Sequence, residues 1–349
     1  MQAVISGKSV LLTGAGGSLG SALAKAIVQF EPRQLILLDH SERNLHEIDS
    51  EVAATRPCVS HTSVLGDICD AALLSELFEH YRPEIIYHTA AFKHVPLMES
   101  NPLAAVRNNA LGTHTLARIS RLASASAFVM VSTDKAVNPI GVMGASKRVA
   151  ELALLRWGGC TNQLRALRLG NILGSVGSVV PTFLRQLSRG GPLTITHPDV
   201  CRYFHTMNEA VELVLLTSSI DAGGGIFIPQ FGAPVRILDM ARQLVADSQS
   251  KSPAQISFTF TGLRRGDKMS EEILYAHEST EPTTDRRLLR VNTEGTPSQR
   301  FDAYMESLAT SVQQRNVPLM METLGRIVPE YRSSEALDGL RQNSTVSFE

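Results

Sequence analysis

Short apolar runs alternate with longer segments of mixed character through the first half of the chain. A strand inside a parallel sheet is covered on both faces and is apolar throughout, whereas a helix that covers the sheet is apolar on one side. Six runs have the character of buried strands: 10–13, 35–39, 64–67, 85–88, 128–131 and 165–169. Helical spacing of apolar residues occurs between them, from Ser18 onward and over 41–54, 71–81, 102–122 and 142–157. The alternation predicts an α/β fold built on a doubly wound parallel sheet, the Rossmann arrangement.

The character of the chain changes after residue 170, where glycines and prolines become frequent. A run at 226–228 predicts a strand that returns to the sheet, a helix follows over 235–245, and two helical patterns occupy 299–339. We expect a smaller substrate-binding lobe beside the nucleotide-binding domain. The expected divisions are 1–172 for the nucleotide-binding domain with a returning segment near 205–245, 173–204 and 246–335 for the lobe, and 336–349 for a flexible tail.

Composition narrows the possible classes of function. A formal net charge of -1 gives no electrostatic reason to expect nucleic acid or an anionic membrane as a partner. No apolar run approaches the roughly 20 residues that span a bilayer, and the first residues lack a signal-peptide pattern. We therefore expect a cytoplasmic protein without a membrane span. The cysteines form no C-x-x-C pair, which favours free thiols and no bound metal; they are Cys58, Cys69, Cys160 and Cys201.

A glycine pattern lies between the first strand and the first helix. Gly14, Gly17 and Gly20 form G-x-x-G-x-x-G, which permits a tight turn and lets backbone N–H groups approach a pyrophosphate at the helix N-terminus. Asp39 ends the second strand, 19 positions after Gly20, where a carboxylate binds ribose hydroxyls and repels a 2′-phosphate. This favours NAD, although Arg43 could receive the phosphate of NADP. The predicted contacts in this part of the chain are Gly14, Gly16, Gly17, Ser18, Leu19, Gly20, Asp39, Ser41, Arg43, Asp67, Ile68, Ala90 and Ala91.

An acid and a lysine, Asp134 and Lys135, end the fifth apolar run, where doubly wound sheets bind their ligands. A second lysine, Lys147, follows on the next helical segment, and Met143 stands four positions before it. This is the spacing of the Tyr-x-x-x-Lys pair of short-chain dehydrogenases, with methionine in place of tyrosine. Because a thioether does not accept a proton in water, the chain lacks the usual base for oxidising an alcohol.

These residues and several other stretches resemble the CapD-like nucleotide-sugar 4,6-dehydratases, which belong to the extended short-chain dehydrogenases. The matching stretches are 38–45, 90–99, 132–139, 142–151, 169–181, 196–198, 202–204, 262–268 and 271–272. The resemblance extends from about Lys8 to about Tyr331. Many members carry an N-terminal membrane region, and the chain resembles the short form without one. Within the family it is most similar to UDP-N-acetylglucosamine 4,6-dehydratases that have methionine in place of the catalytic tyrosine.

The resemblance implies a reaction on UDP-N-acetylglucosamine for surface polysaccharide or glycoconjugate synthesis. C4 is transiently oxidised, water is lost across C5 and C6, and hydride returns to C6, with retention at C5 favoured. By analogy Asp134 protonates O6 and Lys135 removes H5. A base lysine must be neutral, so burial and a cation such as Lys147 or the nicotinamide are expected to lower the pKa of Lys135, which Asp134 would oppose.

The family also implies further site residues. Lys147 is expected to hydrogen-bond the nicotinamide ribose, and Ser132 or Thr133 to hydrogen-bond O4. The catalytic set is then Asp134, Lys135, Lys147, Thr133 and Met143. The cofactor set gains Lys93, Asn109 and Lys147. Because arginine forks match diphosphate oxygens and the loop after the fourth strand lies at the ligand edge, the substrate set is Lys93, His94, Asn171, Val180, Arg202, Arg264 and Glu272. His94 could equally pack a loop, and Arg202 could be a surface residue.

Several alternatives stay open from the sequence. In place of tyrosine, Asp134 is the first candidate to receive the O4 proton and a water held by Lys147 is the second. The chain could instead be a UDP-hexose 4-epimerase, although such an enzyme needs no acid at Asp134, or a silent NAD-binding subunit, although the intact Asp134, Lys135 and Lys147 argue against it. By resemblance we expect a homo-oligomer, paired through a four-helix bundle formed by the helices near 102–122 and 142–157.

Overall fold

The computed structural model describes residues 1–158, 164–221, 223–248, 256–293, 297 and 300–333. Nine of the described strands form one sheet, in the order β14-β15-β11-β6-β5-β4-β1-β2-β3. Their bounds are β1 Ser9–Thr13, β2 Gln34–Asp39, β3 His61–Leu65, β4 Ile85–His88, β5 Ala127–Thr133, β6 Leu164–Leu169, β11 Gly225–Pro229, β14 Ser279–Pro282 and β15 Leu288–Asn292. The strands from β3 to β11 pair in parallel, and β15 and β14 add an antiparallel edge. The α/β, doubly wound prediction is confirmed.

Helices cover both faces of the sheet. They are α1 Gln2–Ile5, α2 Ser18–Ile27, α3 Glu42–Thr55, α4 Ala71–Tyr81, α5 Val95–Ser100, α6 Pro102–Ala105, α7 Thr113–Leu122, α8 Val142–Gly158, α9 Val179–Leu187, α10 Met207–Ser219, α11 Ile237–Asp247, α12 Arg300–Gln313 and α13 Val317–Ile327. Alternate residues of a strand point to opposite faces, so Leu35 and Leu37 enter one apolar core while Ile36 and Leu38 enter the other. This double burial is why β2 is apolar throughout.

Three elements differ from their predicted form. The strand predicted at 64–67 lies at His61–Leu65, because β3 is a half-exposed edge strand whose residues need not all be apolar. The helix predicted over 102–122 is divided by a π-helical segment, Val106–Gly112. The helix predicted over 235–245 begins at Ile237, since Val235 and Arg236 pair as a short strand with Cys201 and Arg202.

A second, smaller core lies beside the sheet. It contains residues of α9 and α11 together with strand β8, Leu193–Ile195. β8 pairs in parallel with β13, Phe258–Phe260, and β9, Cys201–Arg202, pairs with β12, Val235–Arg236. Two short strands, β7 at Asn171–Ile172 and β10 at Phe204–His205, join the smaller unit to the end of the sheet. Thus α11 packs with this unit while β14 and β15 extend the main sheet, and the exact domain division stays a prediction.

The C-terminal helices α12 and α13 pack against the chain's own π-helical segment and α8. Phe301, Met305 and Met321 share an apolar cluster with Val149 and Ala153 of α8. The helices expected to form a four-helix bundle with a second copy are therefore covered, at this face, by the same chain. A homo-oligomer, and its pairing through the helices near 102–122 and 142–157, stays a prediction.

Among the described residues, no helix combines the length and the apolar character that crossing a bilayer requires. Three of the cysteines, Cys58, Cys69 and Cys201, are free thiols. Cys160 and the tail predicted over 336–349 lie outside the described residues.

Candidate active site

The glycine loop after β1 makes close contacts that require glycine. Gly14 has a φ of +69°, and a Cβ atom added there would lie 2.6 Å from the backbone nitrogen of Ala90. A Cβ atom on Gly20 would lie 2.0 Å from the carbonyl oxygen of Gly14. The loop is therefore pressed against the start of α2 and the end of β4, with Ser18 as the first helical residue. Such a helix N-terminus attracts anionic groups.

Asp39 is fixed beside this loop. Its Oδ2 atom accepts a hydrogen bond of 2.9 Å from the backbone N–H of Gly16, and its Oδ1 atom accepts one of 2.9 Å from Ser41. The carboxylate is thus held at the end of β2, where the sequence placed it. Arg43, the alternative receptor for a 2′-phosphate, is exposed and pairs with Glu47 at 2.9 Å.

The remaining predicted cofactor residues surround the same edge of the sheet. Asp67 pairs with Arg107 at 3.0 Å, and Ile68 is buried against Gly112 of the π-helical segment. Asn109 is fully buried; it accepts from the N–H of Phe92 at 2.8 Å and donates to the carbonyl oxygen of Phe92 at 2.9 Å. In this structure Asn109 therefore fixes the loop that contains Ala90, Ala91 and Lys93, and a direct contact with a cofactor stays a prediction.

Asp134 and Lys135 form the centre of the site at the end of β5. The Asp134 side chain is completely buried, and its Oδ1 atom accepts from Thr133 Oγ1 at 3.0 Å and from Lys135 Nζ at 2.9 Å. Lys135 Nζ also donates to Asn171 Oδ1 at 3.0 Å and lies 3.5 Å from Glu271 Oε1. Asp134 Oδ2 has no hydrogen-bond partner among the described residues. Because buried polar atoms are nearly always hydrogen-bonded, this unpaired oxygen is unusual.

The charge state of Lys135 differs from the expectation. Burial lowers the pKa of Lys135, but the carboxylates of Asp134 and Glu271 outweigh burial and raise that pKa above its ordinary value. The expectation of a lowered pKa is therefore wrong for this arrangement. Asp134 is the larger of the two causes, and Glu271, which was not counted from the sequence, adds to its effect.

Lys147 has the lowered pKa instead. It lies on α8, is almost completely buried, and donates to the carbonyl oxygen of Val131 at 2.8 Å. Burial lowers the pKa of Lys147 to about 8, with Glu151 opposing the shift. Met143, one turn earlier, is buried in the apolar cluster between α8 and the C-terminal helices. Methionine at this position thus fills a core and supplies no proton acceptor.

A buried ion-pair network lies behind these residues. Arg168 of β6 is completely buried and contacts Glu151 Oε1 at 2.9 Å and Glu278 Oε2 at 2.6 Å. Glu151 also accepts from Ser132 Oγ at 2.7 Å and pairs with Arg148 at 2.9 Å. Burial raises the pKa of Glu151, but Arg168 and Arg148 outweigh it and bring that pKa to about 2. The network joins β5, β6, α8 and the segment before β14.

This network and the buried histidine His88 were not predicted from the sequence. A charged residue within an apolar strand, such as Arg168 in β6, was the available signal. His88 at the end of β4 contacts Thr13 Oγ1 at 2.7 Å and Thr113 Oγ1 at 2.8 Å. Burial lowers the pKa of His88 to about 3, and Lys147 adds to the shift, so His88 is a neutral support beneath the glycine loop.

Three predicted substrate residues lie close enough to interact electrostatically: Lys93, His94 and Arg264. Burial lowers the pKa of His94, and the positive charges of Lys93 and Arg264 lower it further. Arg264 is mostly exposed and pairs with Asp267 at 2.7 Å. His94 also lies over Gly177, where an added Cβ atom would be 2.5 Å from the His94 ring. This basic group borders the loop that leads to Val180 in the first turn of α9.

Arg202 and Glu272 have structural partners. The terminal nitrogens of Arg202 donate to the carbonyl oxygens of Cys201, Lys268 and Met269 at 2.7 to 3.2 Å. Its Nε atom lies 3.5 Å from Glu271 Oε1, so Arg202 braces the segment that carries Glu271. Glu272 is half-exposed; it accepts from Asn138 Nδ2 and pairs with Lys268 at 3.8 Å. A contact of either residue with a nucleotide sugar stays a prediction.

Comparison with known proteins identifies the group to which the chain is similar. A family model described as "Polysaccharide biosynthesis protein" matches residues 10–293. The chain is 44% identical over 277 residues to "Probable polysaccharide biosynthesis protein EpsC" of Bacillus subtilis, and 42% identical over 277 residues to "Capsular polysaccharide biosynthesis protein CapD" of Staphylococcus aureus. Each match covers 78% of this chain and 46% of the relative, so the chain spans about half the length of these relatives.

A more distant relative is similar over most of its length. The "UDP-N-acetylglucosamine 4,6-dehydratase (inverting)" of Campylobacter jejuni is 29% identical over 278 residues, covering 78% of this chain and 79% of the relative. Among solved structures, that of Pen from Bacillus thuringiensis superposes with a TM-score of 0.74 at 25% identity, covering 85% of this chain and 90% of Pen. A double mutant of DesIV of Streptomyces venezuelae, a dTDP-glucose 4,6-dehydratase solved with NAD, has a TM-score of 0.65 at 21% identity, covering 76% of this chain and 87% of DesIV.

Proposed function

The chain belongs to the polysaccharide biosynthesis protein family, and on that premise we propose that it is a 4,6-dehydratase of UDP-N-acetylglucosamine. The observation that carries the proposal is the buried pair of Asp134 and Lys135 at the carboxyl end of β5. An elimination needs an acid and a base on adjacent atoms of the substrate, and this pair supplies both within 2.9 Å. C5 retention is part of the proposal and rests on the family resemblance.

NAD is the proposed cofactor, and the glycine loop fits it. Gly14 and Gly20 leave no room for a side chain, so the backbone can approach a pyrophosphate, and the fixed carboxylate of Asp39 suits ribose hydroxyls. The NAD-bound DesIV structure has the same fold. NADP would require Arg43 to leave Glu47, which disfavours it. When bound, NAD supplies the hydride acceptor for C4 and the hydride donor for C6.

The protein residues then move the protons. Asp134 Oδ2, which has no partner among the described residues, is the proposed acceptor of the O4 proton. Thr133 orients the other oxygen of Asp134 through its hydroxyl group. Lys135 removes H5 and Asp134 protonates the departing O6. This order keeps Asp134 as the first choice for the role that tyrosine fills in related enzymes.

The basic group formed by Lys93, His94 and Arg264 is the proposed position of the substrate diphosphate. The positive charges of Lys93 and Arg264 both act on His94, so an anion placed there would be attracted by both charges. Arg264 is exposed and can exchange Asp267 for a phosphate oxygen. Asn171, which binds the Lys135 amine, would place that amine relative to the sugar ring.

Product analysis after incubation with UDP-N-acetylglucosamine and NAD separates the candidate functions. We expect a 4-keto-6-deoxy sugar nucleotide. Formation of UDP-N-acetylgalactosamine alone would instead support a 4-epimerase. A protein that binds NAD but converts no UDP-hexose would be a silent subunit. The buried Asp134–Lys135 pair favours the first outcome, because a simple epimerase has no step that needs an acid at O6.

We expect dehydration to slow as the pH rises through about 8. Lys147 carries its positive charge beside the reacting oxygen only below its pKa, which burial lowers from 10.5 to about 8. The positive nicotinamide would lower that pKa further, so the descending limb should lie at or below about pH 8. The pH profile of kcat at saturating substrate and NAD measures it. A kcat that stays constant from pH 7 to about pH 9.5 would contradict a requirement for the Lys147 charge.

A further inference from the structure

The proposed elimination requires an acceptor for the proton that the Lys135 ammonium group must lose. Lys135 must be neutral to remove H5, yet its amine lies between two carboxylates that favour its charged form. Asp134 cannot take the Lys135 proton if it has already received the proton of O4. A second acceptor must therefore lie within reach of the Lys135 amine.

We propose that Glu271 is this acceptor, a positioning residue that holds the Lys135 amine and takes its surplus proton while Lys135 acts as the base. The inference rests on the proposed dehydratase function. Glu271 Oε1 lies 3.5 Å from Lys135 Nζ and 3.5 Å from Arg202 Nε. The side chain is almost completely buried, and Glu271 Oε2 has no partner among the described residues. One oxygen thus contacts the lysine while the other is available for a proton.

The segment that carries Glu271 is anchored on both sides of it. Lys268 Nζ donates to the carbonyl oxygen of Val137 at 2.7 Å, and Tyr275 Oη donates to that of Ala136 at 2.7 Å. Both carbonyls belong to the turn that follows Lys135. These two hydrogen bonds hold the segment that carries Glu271 next to the turn after Lys135. The distance between Glu271 and Lys135 therefore does not depend on an exposed loop.

Other charges around the lysine are balanced. Asp134 and Glu271 face Lys135 with negative charge, while Arg202 and Lys268 face the same group with positive charge. His205 lies near Asp134, and burial lowers the pKa of His205, which keeps it neutral. Arg202 keeps the carboxyl group of Glu271 in place through the contact of 3.5 Å between Arg202 Nε and Glu271 Oε1.

When Glu271 takes part, every proton in the reaction has a donor and an acceptor. Oxidation of C4 releases the O4 proton to Asp134, and the Lys135 ammonium passes one proton to Glu271. Neutral Lys135 then takes H5 as a proton; the C5–H electrons form the C5–C6 double bond, the C6–O6 bond breaks, and Asp134 protonates O6, which leaves as water. Hydride returns to C6, Lys135 returns a proton to C5, and Glu271 restores the proton of Lys135. Each residue ends in the state in which it began.

The Glu271→Gln variant tests this role, because glutamine keeps the shape of the side chain but accepts no proton. We expect kcat for dehydration to fall by about tenfold or more, with little change in KM. Oxidation at C4 precedes the blocked step, so reduced nicotinamide should accumulate, measured as absorbance at 340 nm after mixing with substrate. Glu271→Asp keeps the carboxylate and should recover part of kcat. Glu322→Gln, in the exposed pair with Arg326 on α13, is the control for loss of a carboxylate and should behave as the wild type.

A second measurement needs no turnover. Competitive acetylation by acetic anhydride, followed by peptide mass spectrometry, reports how readily each amine loses its proton. In the ligand-free protein, where water can take the proton, loss of the Glu271 charge should increase labelling of Lys135 several-fold relative to Lys147, whereas general loosening would increase both. The inference is overturned if Glu271→Gln dehydrates as fast as wild type, or if it loses turnover without accumulating reduced nicotinamide. A wild type that makes no 4-keto-6-deoxy product would overturn the proposed function itself, and this inference with it.

Discussion

The Lys135→Ala variant is expected to lose dehydration, with kcat reduced by about 10²- to 10⁴-fold, the usual contribution of a positioned general base. Alanine removes the amine that takes H5 and leaves Asp134 and Glu271 without their shared cation. Initial rates of 4-keto-6-deoxy sugar formation measure the loss. A Lys135→Ala protein with wild-type turnover would contradict the assignment.

A matched variant separates charge from base chemistry. Lys135→Arg keeps a cation between Asp134 and Glu271, but arginine does not lose its proton at any pH the protein tolerates. We therefore expect Lys135→Arg to remain folded, with a thermal midpoint near that of the wild type, and still to be inactive in elimination. Recovery of activity in Lys135→Arg would mean that only the charge of Lys135 is needed.

The Arg168→Met variant is expected to be destabilised by about 3–5 kcal/mol, the usual cost of removing one partner of a buried ion pair. Arg168 is completely buried, and its loss leaves the carboxylates of Glu151 and Glu278 without their main counter-charge. Urea unfolding, with the change in the free energy of unfolding taken at constant m, measures the effect.

The control for this variant is an ion pair at the surface. Arg156 contacts Asp302 at 3.2 Å through its Nε atom, but the two side chains are 36% and 46% exposed, whereas Arg168 is completely buried. Arg156→Met should cost less than about 1 kcal/mol. Equal and small effects of the two substitutions would show that the buried network does not hold β6, α8 and the segment before β14 together.

The features that the sequence predicted are local ones. The glycine loop and Asp39 are recognisable because a turn, a helix start and a strand end follow one another within a short stretch. The buried strands are recognisable because both of their faces are covered. β3 was placed imprecisely because an edge strand lacks that pattern.

The features that it did not predict depend on distant parts of the chain. Arg168 and Glu278 are 110 positions apart, and nothing near either residue shows that they meet. Glu271 and Lys135 are brought together only by the fold of the smaller unit against the sheet. Asp134 and Glu271 together raise the pKa of Lys135, so the expected lowering of that pKa was wrong. The contact between Lys135 and Asp134 was predicted from their adjacency in the sequence.

Covering of the α8 face by the C-terminal helices could not be predicted for the same reason. Their apolar stripes were visible as helical patterns, but a stripe does not identify the surface it packs against. Met143 now has a physical role as a core residue in that contact. In the proposed mechanism, the acid–base steps are therefore carried out by Asp134, Lys135 and Glu271 without a tyrosine.

Dehydration of UDP-N-acetylglucosamine in D₂O, followed by NMR, tests the central claim most directly. We expect a 4-keto-6-deoxy product with one deuterium at C5, delivered through Lys135. The C6 methyl group should carry no solvent deuterium, because its new hydrogen comes from C4. Unchanged substrate, UDP-N-acetylgalactosamine as the sole product, or a dehydrated product that retains its original hydrogen at C5 would contradict it.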